Sequence, residues 1–543
     1  MSMNRAQKRA QDKARKKQQL QEDKLLPTAE GCNQLAIKYM ASNPQRAHDL
    51  LVGAIAKQPK EDGYWINYSE VLKRLKVKKV PPSIVLLLIA RLYKPSQIES
   101  FLKHIAMVCL MADKRIIHWA QLPDDQIIAK PIQHNFLFGF IENYMLANPP
   151  LEDWLTRVRK TLLLAELDKK QQKKWTPFVE AMTTLCFRNE YVFWQSQEET
   201  DKLATLDLED EWQFLLAACY VPVDRKKQMQ LEQELAKSIN SLGEVNNKIS
   251  QKVKAQYEEN PYPRWDKIQL PASLPAAQEL QRILPCHSAG FFSDISNKPN
   301  VLIGGCGTGQ HALQAAARYK ESEVLAVDLS FASLAYAKNK IQTYGYENKI
   351  ELLQADILSL TALDKKFDII ESSGVLHHMQ DPMAGWKVLK SLLKPNGMMK
   401  IALYSEAARE AIATARTVIA KEGYEANEDS IRQCRRDIMH SKLPATISNV
   451  MTMQDFYTMS ECRDLLFHVQ EHRFTLPQLA ENMDELGVEF LGFEHQTHAN
   501  RQHYAKLFPK DAKQTNLQNW HQLELKNPNM FFGMYQMWMR LKD

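Results

Sequence analysis

The stretch Asn300-Val301-Leu302-Ile303-Gly304-Gly305-Cys306-Gly307-Thr308-Gly309-Gln310-His311 constrains this chain more than any other. Three apolar residues read as a buried strand, a glycine cluster follows at once, and the small-residue run 312–318 then reads as a helix. Strand, tight turn and helix N-terminus together present backbone N–H groups to an anionic or polar ligand. Glycine is needed because the backbone must turn sharply and admit a ligand with no Cβ in the way. A doubly wound α/β sheet uses this arrangement, and the residues beyond continue it. Residues 323–328 read as a second strand ending in a carboxylate. Asp328 lies about twenty residues past the turn, where such a sheet sets an acid against ribose hydroxyls. Residues 350–354 give a third strand, ending Ala355-Asp356-Ile357, and 367–374 a fourth. Leu393-Lys394-Pro395-Asn396-Gly397 then turns into a fifth, 398–404.

At these residues the chain resembles the class I S-adenosylmethionine (SAM)-dependent methyltransferases. Gly-Gly-Cys-Gly-Thr-Gly is similar to their first motif, Asp328 to their ribose acid and Asp356 to their adenine-side acid. Gly374-Val375-Leu376-His377-His378 and Leu-Lys-Pro-Asn-Gly are similar to stretches of theirs as well. The resemblance implies a Rossmann-like, seven-stranded methyltransferase domain with SAM as cofactor. It implies cofactor contacts at Gly304, Gly305, Cys306, Gly307, Thr308, Gly309 and His311, at Asp328 and Leu329, at Ala355, Asp356 and Ile357, and at Ser373.

At 543 residues, the chain needs two to four domains rather than one core. The longest apolar run, 84–90, is far short of a membrane span, and no secretory signal is visible. Eight cysteines without a CxxC pair argue against zinc and against a disulfide framework, so reducing cytoplasm is the expected compartment. The net charge of +6 suggests nucleic acid until the first 24 residues are counted: eight Lys/Arg less three Asp/Glu is +5. The remaining body is near neutral, at +1, which argues against a nucleic-acid partner.

Residues 1–25 read as a basic flexible tail, and 26–224 as a helical domain with a degenerate tetratricopeptide-like start. In that start Ala47, Leu51, Ala54 and Pro59 lead to Trp65, while Leu35 stands where glycine is usual. Apolar residues recur at helical spacing over 151–167 and 178–194, and Trp154, Tyr191 and Trp194 read as core. From Leu231 to Val253 an apolar stripe steps by three and four, predicting one long connecting helix over 225–256, with Gly243 as a bend. Residues 257–404 form the SAM-binding core, 405–480 a helical insertion, and 481–543 the last strands, at 489–493 and 531–541.

Between connecting helix and glycine turn lies Gln256-Tyr257-Glu258-Glu259-Asn260-Pro261-Tyr262-Pro263-Arg264-Trp265. Two prolines one residue apart bar both helix and central strand. Tyr257, Tyr262 and Trp265 are expected to wall the methionine end of the cofactor, and Arg264, with its planar fork of donors, to meet the SAM carboxylate or a substrate anion. A proline-rich hinge with Trp265 as its plug is the alternative. In the insertion, Asp464 and His468 share a helix face at i,i+4 and read as an exposed pair, either substrate-binding or a surface salt bridge.

Several stretches also resemble the long, helical-domain-bearing methyltransferases that include the rickettsial-type protein lysine methyltransferases. They are Leu185-Cys186-Phe187-Arg188-Asn189-Glu190-Tyr191-Val192, Glu-Glu-Asn-Pro-Tyr-Pro-Arg-Trp, Cys-Arg-Asp-Leu-Leu-Phe-His and Gly533-Met534-Tyr535-Gln536-Met537-Trp538. This likeness spans about residues 80–543 and implies a bacterial protein lysine methyltransferase. Its protein substrate would dock on the helical domain, and a homodimer is compatible with it. A small-molecule or lipid methyltransferase is the alternative, and a scaffold with a vestigial methyltransferase domain a third reading.

Methyl transfer mostly requires two reactants to be positioned in line. A lysine acceptor also has to lose a proton, its amine pKa being about 10.4. Candidate groups are Glu258, Glu259, Tyr262, Glu371, Tyr404 and Asp464, with His378 as base; for each His, bracing the next helix is the competing role. Methyltransferases of planar nitrogens carry Asn/Asp-Pro-Pro-Tyr after the fourth strand, where this chain reads Ser373-Gly374-Val375-Leu376-His377.

Overall fold

A computed structural model describes Glu22 and residues 24–75, 80–92, 98–222, 225–265 and 267–542. The basic-tail reading falls almost wholly outside the described residues. Two compact units result: residues up to 186 with 195–220, and 187–194 with 221–543.

The first unit is helical throughout its described residues. It opens with helices Ala29–Tyr39, Pro44–Lys57 and Asp62–Leu72, which bury Ala47, Leu51, Ala54 and Trp65. Further along, Trp154, Trp175 and Phe178 are buried within it, and the first of these was expected as core. Tyr191 and Trp194 correct that expectation. Helix Lys169–Arg188 ends before them, because Glu190 and Tyr191 take left-handed φ of 56° and 57°. Both then belong to the second unit, where Trp194 is half-buried under the Arg436 guanidinium, 3.5 Å from its ring centroid.

The second unit is built on an eight-stranded sheet in the order β1-β4-β3-β2-β5-β6-β8-β7. The strands are β1 (Asn240–Leu242), β2 (Asn300–Gly304), β3 (Glu323–Asp328), β4 (Ile350–Ala355), β5 (Phe367–Ser373), β6 (Leu393–Leu403), β7 (Val488–Phe493) and β8 (Tyr535–Leu541). β1 to β6 pair parallel, while β8 runs antiparallel between β6 and β7. The seven expected strands are all present. β1 is an eighth, paired to β4 at the sheet edge.

That extra strand explains why the predicted long helix over 225–256 is absent. Helix Arg225–Lys237 stops, Asn240–Leu242 pairs with β4, and Gly243 turns at φ +73°. Helix Lys248–Glu259 then begins under an Asn247 cap. The apolar stripe ran on through the break, and a side-chain pattern alone carries no sign of backbone pairing. Likewise, the expected turn at 393–397 is the start of β6: Leu393 already pairs with Phe367, and Lys394 Nζ meets Asp368 Oδ2 at 2.7 Å.

Parallel strands covered on both faces should read as continuous apolar runs, and Val301, Leu302 and Ile303 are each fully buried. One face packs Trp386, Leu389, Leu479 and Tyr535; the other packs Leu313, Leu334, Tyr319 and Trp538. Each such side chain contributes roughly 1.5–3 kcal/mol through burial. The 405–480 insertion is helical as expected, with Glu406–Lys421, Glu428–Met439 and Met459–Phe467 capped by Ser405, Asn427 and Thr458. Among the described residues no helix is long and apolar enough to cross a membrane.

Candidate active site

Strand order reverses between β2 and β5, and open α/β sheets bind ligands in the crevice at that point. The glycine turn lies there. Its N–H groups at Gly305 and Cys306 both donate to Val327 O at 2.8 Å, which fixes the turn to β3. Gly305 has φ +77°, and a Cβ there would lie 2.2 Å from Val375. Gly307 has φ +52°, and a Cβ there would meet the Tyr262 carbonyl oxygen at 2.7 Å. Asp328 accepts from Gly307 N at 2.8 Å and Ser330 N at 3.0 Å, so the acid at the end of β3 is braced by the turn it serves. Burial raises its pKa, and these two backbone donors oppose the rise. Asp356 is buried and capped to Leu358 N at 3.0 Å.

A cavity of about 480 Å³ opens over this turn. Of the residues expected at the cofactor, Tyr257, Gly305, Cys306, Gly307, His311, Asp328, Leu329, Ala355, Asp356, Ile357 and Ser373 line it. Gly304, Thr308 and Gly309 are buried behind its wall. Thr308 supports the proline segment from behind: its hydroxyl donates to the Pro263 carbonyl, and Trp265 Nε1 donates to Thr308 O at 3.3 Å. Trp265 is therefore packed beneath the turn, against Tyr336 and Tyr344, and is no wall of the cavity. Arg264 is exposed and does not line it either; docking of the Tyr262 and Pro263 carbonyls on the turn leaves its side chain facing solvent.

The other end of the cavity is aromatic, acidic and imidazole-lined, with Tyr257, Tyr262, Tyr404, His378 and Asp464 converging there. Tyr257 and Tyr262 stack with centroids 6.2 Å apart, and Tyr404 stacks on His377 at 4.0 Å. Tyr257 Oη donates to Asp464 Oδ1 at 2.9 Å. Burial, then Asp464, holds the Tyr257 and Tyr262 phenols well above their usual pKa, so both stay protonated. Burial also lowers the pKa of His378 and brings that of His468 down to about 3, so both imidazoles are neutral. Asp464 and His468 are thus buried, correcting their expected exposure, because this helix face turns inward onto the phenols. Around them, Asp455 is raised by burial and then by Asp464, and Glu461 is pushed up to about 7 by burial and then by Asp455.

Two other candidate acids are committed elsewhere. Glu258 accepts from Phe331 N and Ala332 N, both at 2.9 Å, capping helix Phe331–Thr343. Glu371 is fully buried in an ion network: Lys400 Nζ pairs with it, His311 Nε2 lies at 2.8 Å, and Tyr319 Oη donates at 2.7 Å. Burial pushes the Glu371 pKa upward, but Lys400 and His311 outweigh it and hold the carboxyl well below its usual range. Lys400 also meets Glu494 at 3.3 Å, and Arg318 meets Glu494 at 3.4 Å. Lys400, Arg318, His495 and Gln536 line an extension of the same cavity and were not anticipated. One signal existed: a lone lysine amid Met398, Met399, Ile401 and Ala402 in a central strand requires a buried partner.

Residues 301–397 match the family model of a methyltransferase domain. An uncharacterized protein of Synechococcus sp. is 30% identical over 204 residues, which are 36% of this chain and 48% of that one. Phosphoethanolamine N-methyltransferase 1 of Zea mays is 29% identical over 140 residues, covering 25% of this chain and 27% of that one. The structure of PKMT2 from Rickettsia typhi in complex with AdoHcy aligns at 18% identity and a TM-score of 0.37, over 50% of this chain and 55% of that one. The chain spans about half or less of the length of these curated relatives. The residues at the turn fit SAM: glycines that no Cβ could replace let the turn form the cavity wall, and two acids, Asp328 and the buried Asp356, line the same cavity. Strand order, the braced acid at the end of β3 and the family model agree over one span, and the chain carries a class I SAM-dependent methyltransferase domain.

Proposed function

We propose that this domain methylates a lysine side chain of a protein. The supporting observation is the far end of the cavity, where a buried carboxylate, Asp464, sits among the phenols of Tyr257, Tyr262 and Tyr404. A lysine ammonium is drawn by the carboxylate and by aromatic faces. An apolar acceptor gains nothing from a buried acid, which costs desolvation free energy.

SAM would supply an activated methyl group, and Gly305–Gly307, Asp328 and Asp356, which line the cavity, would hold it. The protein's part is to orient the amine, exclude water and accept a proton. Asp464 orients the cation, the stacked Tyr257 and Tyr262 limit its approach, and His378 takes the proton before transfer. Burial of His378 makes it a weak base in bulk terms, but burial of the ammonium lowers the lysine pKa in the same direction. We assign docking of the substrate protein to the helical unit.

The test is transfer of labelled methyl from SAM to a dialysed cell extract, with Asp328→Ala run beside it. Label in methyl-lysine that vanishes in the variant is expected. Label in the organic-soluble or small-molecule fraction would sink the lysine reading.

A further inference from the structure

His378, Asp464 and His468 offer three ligating atoms within 4.8 Å of one another, a spacing that suits a metal ion. The ring geometry opposes one. The two imidazoles are stacked, with centroids 3.7 Å apart and planes 24° from parallel. Nitrogen lone pairs lie in the ring plane, so stacked rings send them out side by side and not toward a common point.

The hydrogen bonds suggest a different use. His378 Nδ1 lies 2.6 Å from Gln470 O, a carbonyl that can only accept, so the proton is on Nδ1 and the lone pair on Nε2. Gln470 N donates to His468 Nδ1 at 3.1 Å, so that nitrogen carries the lone pair and, in the neutral ring, Nε2 carries the proton. His468 Nε2 is 3.1 Å from Tyr257 Oη, and Tyr257 Oη donates onward to Asp464 Oδ1. One peptide residue thus holds two stacked imidazoles in opposite tautomers.

We infer that Gln470 fixes His378 as a proton acceptor at Nε2 and His468 as a proton donor at Nε2, with His468 positioning Tyr257 to keep Asp464 aimed at the incoming ammonium. The inference rests on the amine reading of the acceptor site. The step balances: a proton leaves the substrate Nζ for His378 Nε2, the freed lone pair forms a bond to the methyl carbon, and the bond from that carbon to sulfur breaks with its electron pair left on the sulfur, so the sulfonium would leave as a neutral thioether. The cation formed on His378 faces Asp464, the Gln470 carbonyl and Glu471, which favour it, and Arg416, which opposes it; the neutral rings of His377 and His468 and the Tyr404 phenol complete its surroundings. His468 cannot share the role, since its accepting nitrogen is already occupied by Gln470.

Two asparagine variants separate the roles, because asparagine can replace Nδ1 of either ring but not Nε2. His378→Asn keeps a donor for the Gln470 carbonyl, and His468→Asn keeps an acceptor for the Gln470 N–H. Deuterated full-length protein labelled with 15N-histidine, compared with both variants, reads the tautomers directly in multiple-bond 1H–15N spectra without any acceptor. The expected result is Nδ1–H for His378 and Nε2–H for His468, unmoved by stoichiometric Zn²⁺. The reverse form of either ring, or a paired shift on adding Zn²⁺, would overturn the inference.

Labelled transfer to the dialysed extract, scored as methyl-lysine, reads the consequence. His378→Asn should lose about 10²–10⁴-fold in rate at pH 7.5 with SAM affinity unchanged. Its residual rate should climb about tenfold per pH unit toward the lysine amine pKa, whereas the wild type stays flat. His468→Asn should lose about tenfold and keep the flat profile. A flat His378→Asn profile at wild-type rate would remove the acceptor role. Label only in a non-lysine acceptor, with both tautomers in place, would instead sink the lysine reading and leave the tautomer pair standing.

Discussion

The Glu371–Lys400 pair is where a single substitution should change the protein most. Both side chains are essentially buried, at 0% and 4% exposure, so neither charge has water to fall back on. Lys400→Met keeps the length and apolar stem but leaves Glu371 facing His311, Tyr319 and Arg318, and removes one of the cations that meet Glu494. Removing one partner of a buried pair costs about 3–5 kcal/mol. In a domain of this size, about 2–4 °C is lost per kcal/mol, so the melting temperature should fall by roughly 6–20 °C. The pH response should invert as well. In the wild type the Glu371 pKa lies below its unfolded value, so its contribution is present above about pH 4.5 and is lost as pH falls through the folded pKa. Without Lys400, burial dominates and the folded pKa lies above the unfolded one. Lys400→Met should therefore be more stable at pH 5.5 than at pH 8. Adding Glu371→Gln should recover at least half of the loss and flatten the profile. Calorimetry of the four proteins at both pH values measures this cycle. Additive effects, each below about 1 kcal/mol, would refute the claim that the two charges are coupled.

Gly307→Ala places a Cβ 2.7 Å from the Tyr262 carbonyl at φ +52°, and should cost about 1–3 kcal/mol together with at least tenfold in SAM affinity by titration calorimetry. Tyr257→Phe removes the hydrogen bond to Asp464 and should lower methyl transfer about 10–100-fold, leaving SAM affinity within twofold. Glu461, partly exposed and with its carboxyl pushed up to about 7, should strain the fold once ionised. Glu461→Gln, which can still accept from Thr458, should therefore gain about 2 kcal/mol at pH 8 and almost nothing at pH 4, below the unfolded pKa, by denaturant melts at each pH.

The cofactor half of the site was legible because its grammar is local. Gly305, Gly307 and Asp328 lie within 24 residues of one another, and turn, brace and strand ends follow from backbone needs that residue types declare. The acceptor half joins Tyr257 to Asp464 across 207 positions, and nothing nearby in sequence tells either residue of the other. Asp464 and His468 were paired correctly by helical spacing, but spacing does not say which face is covered. Gln470 acts through its backbone, which any residue but proline could supply, and so leaves no mark in the sequence. Glu258 looked like a site acid and serves as a helix cap, since a carboxylate suits either use.

Tyr262 and Gly307 touch where no Cβ could fit, and Thr308 is tied to Pro263 and Trp265 on the same side. Forty-five positions separate Pro263 from Thr308, yet the two stretches share one contact surface. A change in one therefore bears directly on the other, and a chimera that takes the proline stretch from another protein is expected to fold well only when the glycine turn travels with it.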